Sequence, residues 1–340
     1  MRKLHVYSFN HCDVNRRRNY FTYFCVEKRF LKTKYDNDID CGNHRYRRHS
    51  YLGKRTLIGG AFMKNITLGK SSLQASNIAL GCMGMGKLSV SDAEKVIQNA
   101  LQLGINFFDH ADIYAEGKSE EVFAEAIGMN PSVREQIILQ SKAGIRNGYY
   151  DFSKDHILRT VDESLQRLKT DYLDILLLHR PDALMEPEEV AEAFDILYES
   201  GKVRHFGVSN QNPMQIELLK KYVKQDILVN QLQLSIMHSG MIDFGLNVNN
   251  RNDLALDRDG GILDYFRLHD ITIQAWSPFR YGYFEGLFID KDKFSELNRV
   301  LQETAEKSGV NKSAIAVAWI LRHPAYMPTI VGTMTPERLT

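Results

Sequence analysis

Four apolar runs in succession close on residues able to do chemistry. INFFDHADIY carries Asp109 and Tyr114, IILQSK ends at Lys142, YLDILLLH at His179, and VRHFGVSN at Ser209 and Asn210. A carboxylate, a phenol, an ammonium and an imidazole brought to one opening could protonate a carbonyl oxygen. A free phenol has a pKa of about 10 and is a poor donor at neutral pH. An ammonium beside it, here Lys142, is expected to lower that value by favouring the phenolate. Asp109 is expected to anchor the ammonium through an ion pair, and His179 to orient the substrate oxygen with a hydrogen bond. Asp112 is a second candidate for the anchor, although Asp109 fits the strand end better. Tyr149 and Tyr150 fall in a loop, and Cys82 reads as a small buried hydrophobe rather than a nucleophile.

These side chains converge only if the runs are neighbouring strands. From Met63 the sequence alternates strand and helix patterns. ITLGKSSLQASNIALG reads as a hairpin leading into a first strand near residues 78–82. Ser91 and Glu94 have capping-box spacing at the start of a helix that Gly104 ends. INFFDHA, IILQSK, YLDILLLH, VRHFGVSN, ILVNQLQ, ITIQAWS and PTIVGT supply seven further strands. YLDILLLH is almost wholly apolar, as parallel strands covered on both faces are. Helices are expected at 153–169, opened by Ser153, at 187–200 with Pro187 in the first turn, and near 213–222, 261–269 and 293–308. NKSAIAVAWILRH is expected to form one more.

Eight such repeats imply an α/β protein, a (β/α)8 barrel with an N-terminal β-hairpin, whose strand ends share one catalytic face. A doubly wound sheet needs a nucleotide-binding glycine turn. GCMGMGK lacks G-x-G-x-x-G spacing, so Gly81, Gly84 and Gly86 read as a flexible strand-to-helix loop. Residues 234–260 form a long polar connection, expected to wall the substrate side of the mouth. TPERLT begins what would be the eighth helix, so the last helix is expected to be incomplete.

With 44% hydrophobic and 25% charged residues, the chain can bury one large core. The net charge of +1 conceals a division. Residues 1–62 hold 14 Lys and Arg against 5 Asp and Glu, a net +9, and the remainder carries −8. Three of the four cysteines lie in that basic arm, so the body has no disulfide framework, and a cytoplasmic setting is expected. No C-x2-C spacing is present, so no metal is expected. The Ile-Gly-Gly-Ala-Phe before Met63 reads like a translated ribosome-binding site. Met63 is therefore the expected start, with residues 1–62 a basic, disordered, upstream-translated extension and 63–340 the barrel. The acidic body makes a nucleic-acid partner unexpected, no run suits a membrane span, and the oligomeric state is open, a monomer included.

GINFFDHADIYAEGKSE, QSK, LLLHRPD, GKVRHFGVSN, VNQLQLS, QAWSPF and IVGTMTPERL together resemble the aldo-keto reductase family over about residues 64–340. His110, where many members carry Thr, resembles a bacterial branch. The resemblance implies a (β/α)8 fold, an NADPH cofactor, a small-molecule carbonyl substrate, and a catalytic tetrad of Asp109, Tyr114, Lys142 and His179. It also implies that Ser209, Asn210 and Gln231 bind the nicotinamide carboxamide and that Trp276 stacks on the ring. Ser277, Phe279 and Gly282 correspond to the pyrophosphate loop. Gly332, Thr333, Thr335 and Arg338 correspond to a 2′-phosphate site at a helix N-terminus, and Arg338 favours NADPH over NADH. The alternative within the family is a non-catalytic or regulatory NADPH-binding subunit.

Overall fold

A computed structural model of the chain describes residues 63–282 and 285–339; the expectations for residues 1–62 fall outside the described residues. β1 (Asn65–Thr67) and β2 (Gln74–Ser76) pair antiparallel as the expected hairpin. Eight parallel strands follow and close into a barrel: β3 (Ile78–Gly81), β4 (Phe107–Asp109), β5 (Ile138–Ala143), β8 (Leu173–Leu178), β9 (Val203–Ser209), β10 (Ile227–Gln233), β11 (Thr272–Trp276) and β12 (Thr329–Val331). β12 pairs with β3 to complete the ring. After β5 a second small hairpin forms from β6 (Ile145–Arg146) and β7 (Tyr149–Tyr150).

In chain order the helices are α1 (Val90–Gln102), α2 (Lys118–Ile127), α3 (Pro131–Arg134), α4 (Lys154–Leu168), α5 (Pro187–Glu199), α6 (Pro213–Lys220), α7 (Gly240–Leu246), α8 (Ile262–Leu268), α9 (Ser295–Ser308) and α10 (Lys312–Leu321). By internal contacts Leu287–Trp319 belongs to one unit, and all eight barrel strands belong to another. Within the former, Asn298 donates to the carbonyls of Phe288 at 2.8 Å and Phe294 at 3.0 Å, tying α9 to the segment before it. Among the described residues no helix is long and apolar enough to cross a membrane.

Several local features differ from the sequence reading. Ser89, not Ser91, caps α1: its Oγ accepts from the Asp92 amide at 3.1 Å and donates to the Asp92 carboxylate. Residues Cys82–Lys87 form a 3-10 helix rather than a flexible loop. Its glycines are packed, since a Cβ on Gly84 would lie 2.8 Å from Met334 Cγ and one on Gly86 2.7 Å from Ala115 Cβ. The connection at 234–260 contains α7, steadied by Ser239 donating to Asp243 and Asn247 donating to the Asp243 carbonyl. Residues Pro336–Arg338 form a single 3-10 turn.

The hairpin sits against the residues that begin the barrel strands. Leu68 and Ala75 join Ala79, Phe107, Ile138, Ile175, Leu228, Val229 and Ile330 in one buried apolar cluster. Asn106, just ahead of β4, holds the hairpin there: its Oδ1 accepts from the Ser76 amide and its Nδ2 donates to the Gln74 carbonyl. One end of the barrel interior is thus dry and apolar, and the other is left for polar chemistry.

A buried ion pair braces the outside of the strand starts. Arg134 donates to Asp174 at 2.7 Å and to the carbonyls of Ile137 and Tyr172, with its guanidinium 3.7 Å from the centre of the Tyr172 ring. Asp174 also accepts from the Leu139 amide. Arg134→Met would leave the buried Asp174 carboxylate only its 3.5 Å contact with the exposed Arg204, and losing the close cation of a buried pair costs at most about 3–5 kcal/mol. The expected result is a correspondingly lower urea midpoint with unchanged slope; a variant as stable as the parent would show that the pair is not a brace.

Candidate active site

Asp109 ends β4, Lys142 lies next to last on β5, and His179 directly follows β8. Because all eight strands are parallel, these positions share the barrel's C-terminal face. Alternation along β5 sends Gln140 and Lys142 into the barrel and Ser141 out, where its hydroxyl donates to buried Glu120 at 2.6 Å. Arg167 of α4 pairs with the same Glu120 at 2.8 Å, so α2, α4 and β5 are held together by one carboxylate. Tyr114 returns over the mouth through a tight turn in which its amide donates to the Ala111 carbonyl, and Ala115 and Glu116 take positive φ angles of 51° and 56°.

The Lys142 ammonium is fully buried, with four oxygen atoms from three residues as acceptors. Its Nζ lies 2.8 and 2.9 Å from the two Asp109 carboxylate oxygens, 2.7 Å from the His110 carbonyl and 3.2 Å from Tyr114 Oη. An ammonium has three N–H bonds and no lone pair, so Lys142 is saturated and Tyr114 Oη must be an acceptor in this contact. The phenolic proton consequently points away from Lys142. The Tyr114 ring meets His179 edge-on, with ring centres 6.1 Å apart. Asp109, not Asp112, anchors Lys142.

Beneath the ion pair lies a set of buried amides that the sequence did not reveal. Gln140 and Gln231 both donate to Asp109 Oδ1, at 2.6 and 2.9 Å. Gln274 accepts from both at 3.0 Å and donates back to Gln140 at 2.9 Å. Polar residues inside strands are normally read as facing solvent, so no pattern singled out Gln140 or Gln274. Gln231 was expected to face a cofactor; its two N–H groups are directed at Asp109 and Gln274.

Burial dominates the titration of the site. It raises the Tyr114 phenol above its ordinary value, and Lys142 opposes the rise without reversing it. The expected net lowering of this pKa is therefore not what the structure gives. Burial pulls Lys142 down, but Asp109 and Tyr114 hold it above its usual value. Burial, then Lys142 and Arg180, push His179 well below 6.5, so its imidazole is neutral at pH 7. His179 Nδ1 is buried without a partner among the described residues, as are both ring nitrogens of His110, whose pKa falls to about 3. Burial also raises the Cys82 thiol, which suits a hydrophobe and not a nucleophile.

A second network lines the ends of β9, β10 and β11. Trp276 Nε1 donates to Asn210 at 3.3 Å, Asn210 donates to Ser209 at 2.7 Å, and Ser209 donates to the Gln231 carbonyl at 3.0 Å. Asn210 and Ser277, each just past a strand end, take φ of +59° and +52°, a left-handed conformation that costs a non-glycine residue energy. Phe279 is half-buried in the following loop, and Gln233 donates to the Gly282 carbonyl at 3.0 Å. Past β12, Thr333 and Thr335 bond to each other, while Gly332, Thr335 and Arg338 are exposed.

The model of the Aldo/keto reductase family matches residues 77–340. Uncharacterized oxidoreductase YcsN of Bacillus subtilis (strain 168) is 36% identical over 292 residues, covering 82% of this chain and 91% of that one. A 6-dehydroglucose reductase of Novosphingobium aromaticivorans is 32% identical over 281 residues, covering 80% of this chain and 86% of its own. Among solved structures, the holo form of aldo-keto reductase AKR11C1 from Bacillus halodurans shares the fold, with a TM-score of 0.64, 24% identity, and coverage of 82% and 88% of the two chains.

Asp112 offers a test of burial at this site. Its Oδ1 is buried without a partner among the described residues, and burial with Glu120 nearby raises its pKa from 3.8 to about 7. Between those values the folded protein holds a proton that the unfolded chain has lost, so stability falls as pH rises, by at most about 1.4 kcal/mol per unit. Asp112→Asn is expected to remove this slope and to raise the urea midpoint at pH 8, with little change at pH 4. Equal effects at both pH values would contradict the shift.

Proposed function

The chain belongs to the aldo/keto reductase family, and on that premise we propose that it reduces an aldehyde or ketone to an alcohol with NADPH, Tyr114 acting as general acid. One observation carries the reading: the Lys142 ammonium can only donate to Tyr114 Oη, so the phenolic proton is turned away from it, and the same ring meets His179 edge-on.

The residues past the strand ends fit a nicotinamide dinucleotide by their chemistry. Ser209, Asn210 and Gln231 offer hydroxyl and amide groups to a carboxamide, with the side-chain oxygen of Gln231 as the acceptor it presents now that both side-chain N–H groups point inward. Trp276 offers an indole fixed by Asn210, and Ser277, Phe279 and Gly282 form the adjoining loop for a pyrophosphate. Gly332, Thr333, Thr335 and Arg338 present amides, hydroxyls and a guanidinium suited to a 2′-phosphate, which favours NADPH. When bound, the reduced nucleotide supplies the hydride.

The chain's own groups supply the rest. The neutral His179 can donate one hydrogen bond to the carbonyl oxygen and so fix its position. Tyr114 gives that oxygen its proton as negative charge develops there. Its raised pKa keeps the phenol protonated at neutral pH until then. Lys142 stabilises the phenolate left behind, and Asp109 with its glutamines keeps Lys142 charged and in place. Solvent returns the proton to Tyr114.

Tyr114→Phe should lower turnover of an aldehyde by about 10²–10⁴-fold, the usual weight of a general acid, while NADPH affinity measured by calorimetry stays near the parent's. Turnover at the parent rate would remove Tyr114 from the role. Parent protein that binds NADPH but oxidises it with no member of a panel of aldehydes, ketones and diketones would contradict the reductase reading itself.

A further inference from the structure

Asp109 is hydrogen-bonded more heavily than the anchoring of one lysine requires. Its Oδ1 lies 2.8 Å from Lys142 Nζ, 2.6 Å from Gln140 Nε2 and 2.9 Å from Gln231 Nε2, and its Oδ2 lies 2.9 Å from the same Nζ. Gln274, across the barrel on β11, holds the two amides. Its Oε1 accepts from both at 3.0 Å, and its Nε2 donates to Gln140 Oε1 at 2.9 Å. A primary amide has one oxygen and one NH2 group. With the Gln140 oxygen taken by Gln274, its NH2 group is what remains for the carboxylate. Gln140 and Gln274 are both completely enclosed, so neither exchanges a lost bond for one to bulk water.

The consequence lies at Tyr114. The ionisable groups that act on its phenol are Lys142 from β5, Asp109 from β4 and the buried Cys82 thiol just after β3, with the neutral His179 edge-on to its ring. Lys142 favours the phenolate and Asp109 opposes it. What the phenolate gains from Lys142 thus depends on how much of the Asp109 charge is met elsewhere. A donor aimed at a carboxylate favours its charged form, and in a dry interior the donor's dipole offsets part of the carboxylate's field.

We propose that Gln140 and Gln274 are positioning residues that set the acid strength of Tyr114. Gln140 aims an amide dipole at Asp109, Gln274 keeps that amide turned the right way, and the Asp109 charge that works against the phenolate is partly offset. This deepens the reductase reading and rests on it for its meaning in turnover. The ionisation of Tyr114 itself is a property of the protein alone.

Fluorine NMR tests that ionisation directly. Full-length protein carrying 3,5-difluorotyrosine, whose phenols ionise at lower pH, is titrated, and Tyr114→Phe assigns the Tyr114 signal. Gln140→Leu should raise its midpoint by about half a unit to one unit, a fraction of what a full hydrogen bond to a charged group carries. Gln274→Leu should raise it by less. Gln231 stays in every variant because it is also offered to the cofactor. Should Gln140→Leu fail to fold because the Gln274 amide is stranded, the double variant Gln140→Leu/Gln274→Leu removes both partners at small cost and should show the same rise. A midpoint that stays or falls without Gln140 would overturn the proposal, and one that stays in Gln274→Leu would remove Gln274 from it. Turnover gives a second readout. Oxidation of an alcohol with NADP+ needs Tyr114 as the phenolate, so the Gln140 variants should be about 3- to 10-fold slower below the midpoint and recover as pH rises. An equal loss at every pH would show a merely structural role and overturn the proposal. If the parent neither reduces a carbonyl nor oxidises an alcohol, the reductase reading fails, and the fluorine midpoint alone decides: a rise supports the tuning of Tyr114, and no rise overturns it.

Discussion

A buried ammonium whose three hydrogens are shared among three accepting residues is the constraint on which the rest depends. Lys142 is out of contact with water, so every N–H must find a protein partner or leave a costly vacancy. Asp109, the His110 carbonyl and Tyr114 Oη fill all three places. Moving any one of them re-aims the others. Asp109 is itself held from below by Gln140 and Gln231, which Gln274 ties together. The network thus runs across the barrel from β4 and β5 to β10 and β11, and the orientation of one phenol is set by residues on four strands. A fully satisfied buried network of this kind fixes a single arrangement, whereas a partly satisfied one would be worse than an apolar core.

That arrangement divides the barrel interior in two. At the strand starts the hairpin residues Leu68 and Ala75 close an apolar plug with Phe107, Ile138 and Ile175. At the strand ends the interior is polar yet still dry. Dryness there has opposite effects on the two acid–base groups. It keeps Tyr114 protonated in spite of Lys142, and it keeps His179 neutral with the help of Lys142 and Arg180. One group thus keeps its proton, and the other stays uncharged. The same burial that makes Tyr114 a weak acid on its own makes Lys142 worth more to the phenolate once the proton leaves.

Most of the fold was legible because parallel strands covered on both faces leave little ambiguity. YLDILLLH reads as a strand on any reckoning, and each such run was followed by an amphipathic segment. The convergence of Asp109, Tyr114, Lys142 and His179 was legible for the same reason, since an ionisable residue at the end of an apolar run stands out. What the sequence concealed depends on contacts distant along the chain. Gln140 and Gln274 look like ordinary polar strand residues until β5 and β11 are brought face to face across the barrel. Arg134 lies in a four-residue helix too short to show a period, and its partner Asp174 is 40 residues away. The glycines at 84 and 86 signalled freedom but mark close packing against Met334 and Ala115. The direction of the Tyr114 shift needed the balance of burial against one charge, and spacing carries no measure of burial.

The long connection at 234–260 shows the same limit from the other side. Polar, aperiodic sequence gave no element for the connection, and α7 forms there through side-chain bonds to Asp243, which periodicity does not register. Neutron diffraction from crystals of the protein at neutral pD would test the central claim most directly, because it locates the deuterons themselves. The account requires three on Lys142 Nζ, aimed at Asp109, the His110 carbonyl and Tyr114 Oη, with the Tyr114 deuteron turned to the His179 side. A Tyr114 deuteron directed at a two-deuteron Lys142, or a Tyr114 without one, would contradict it.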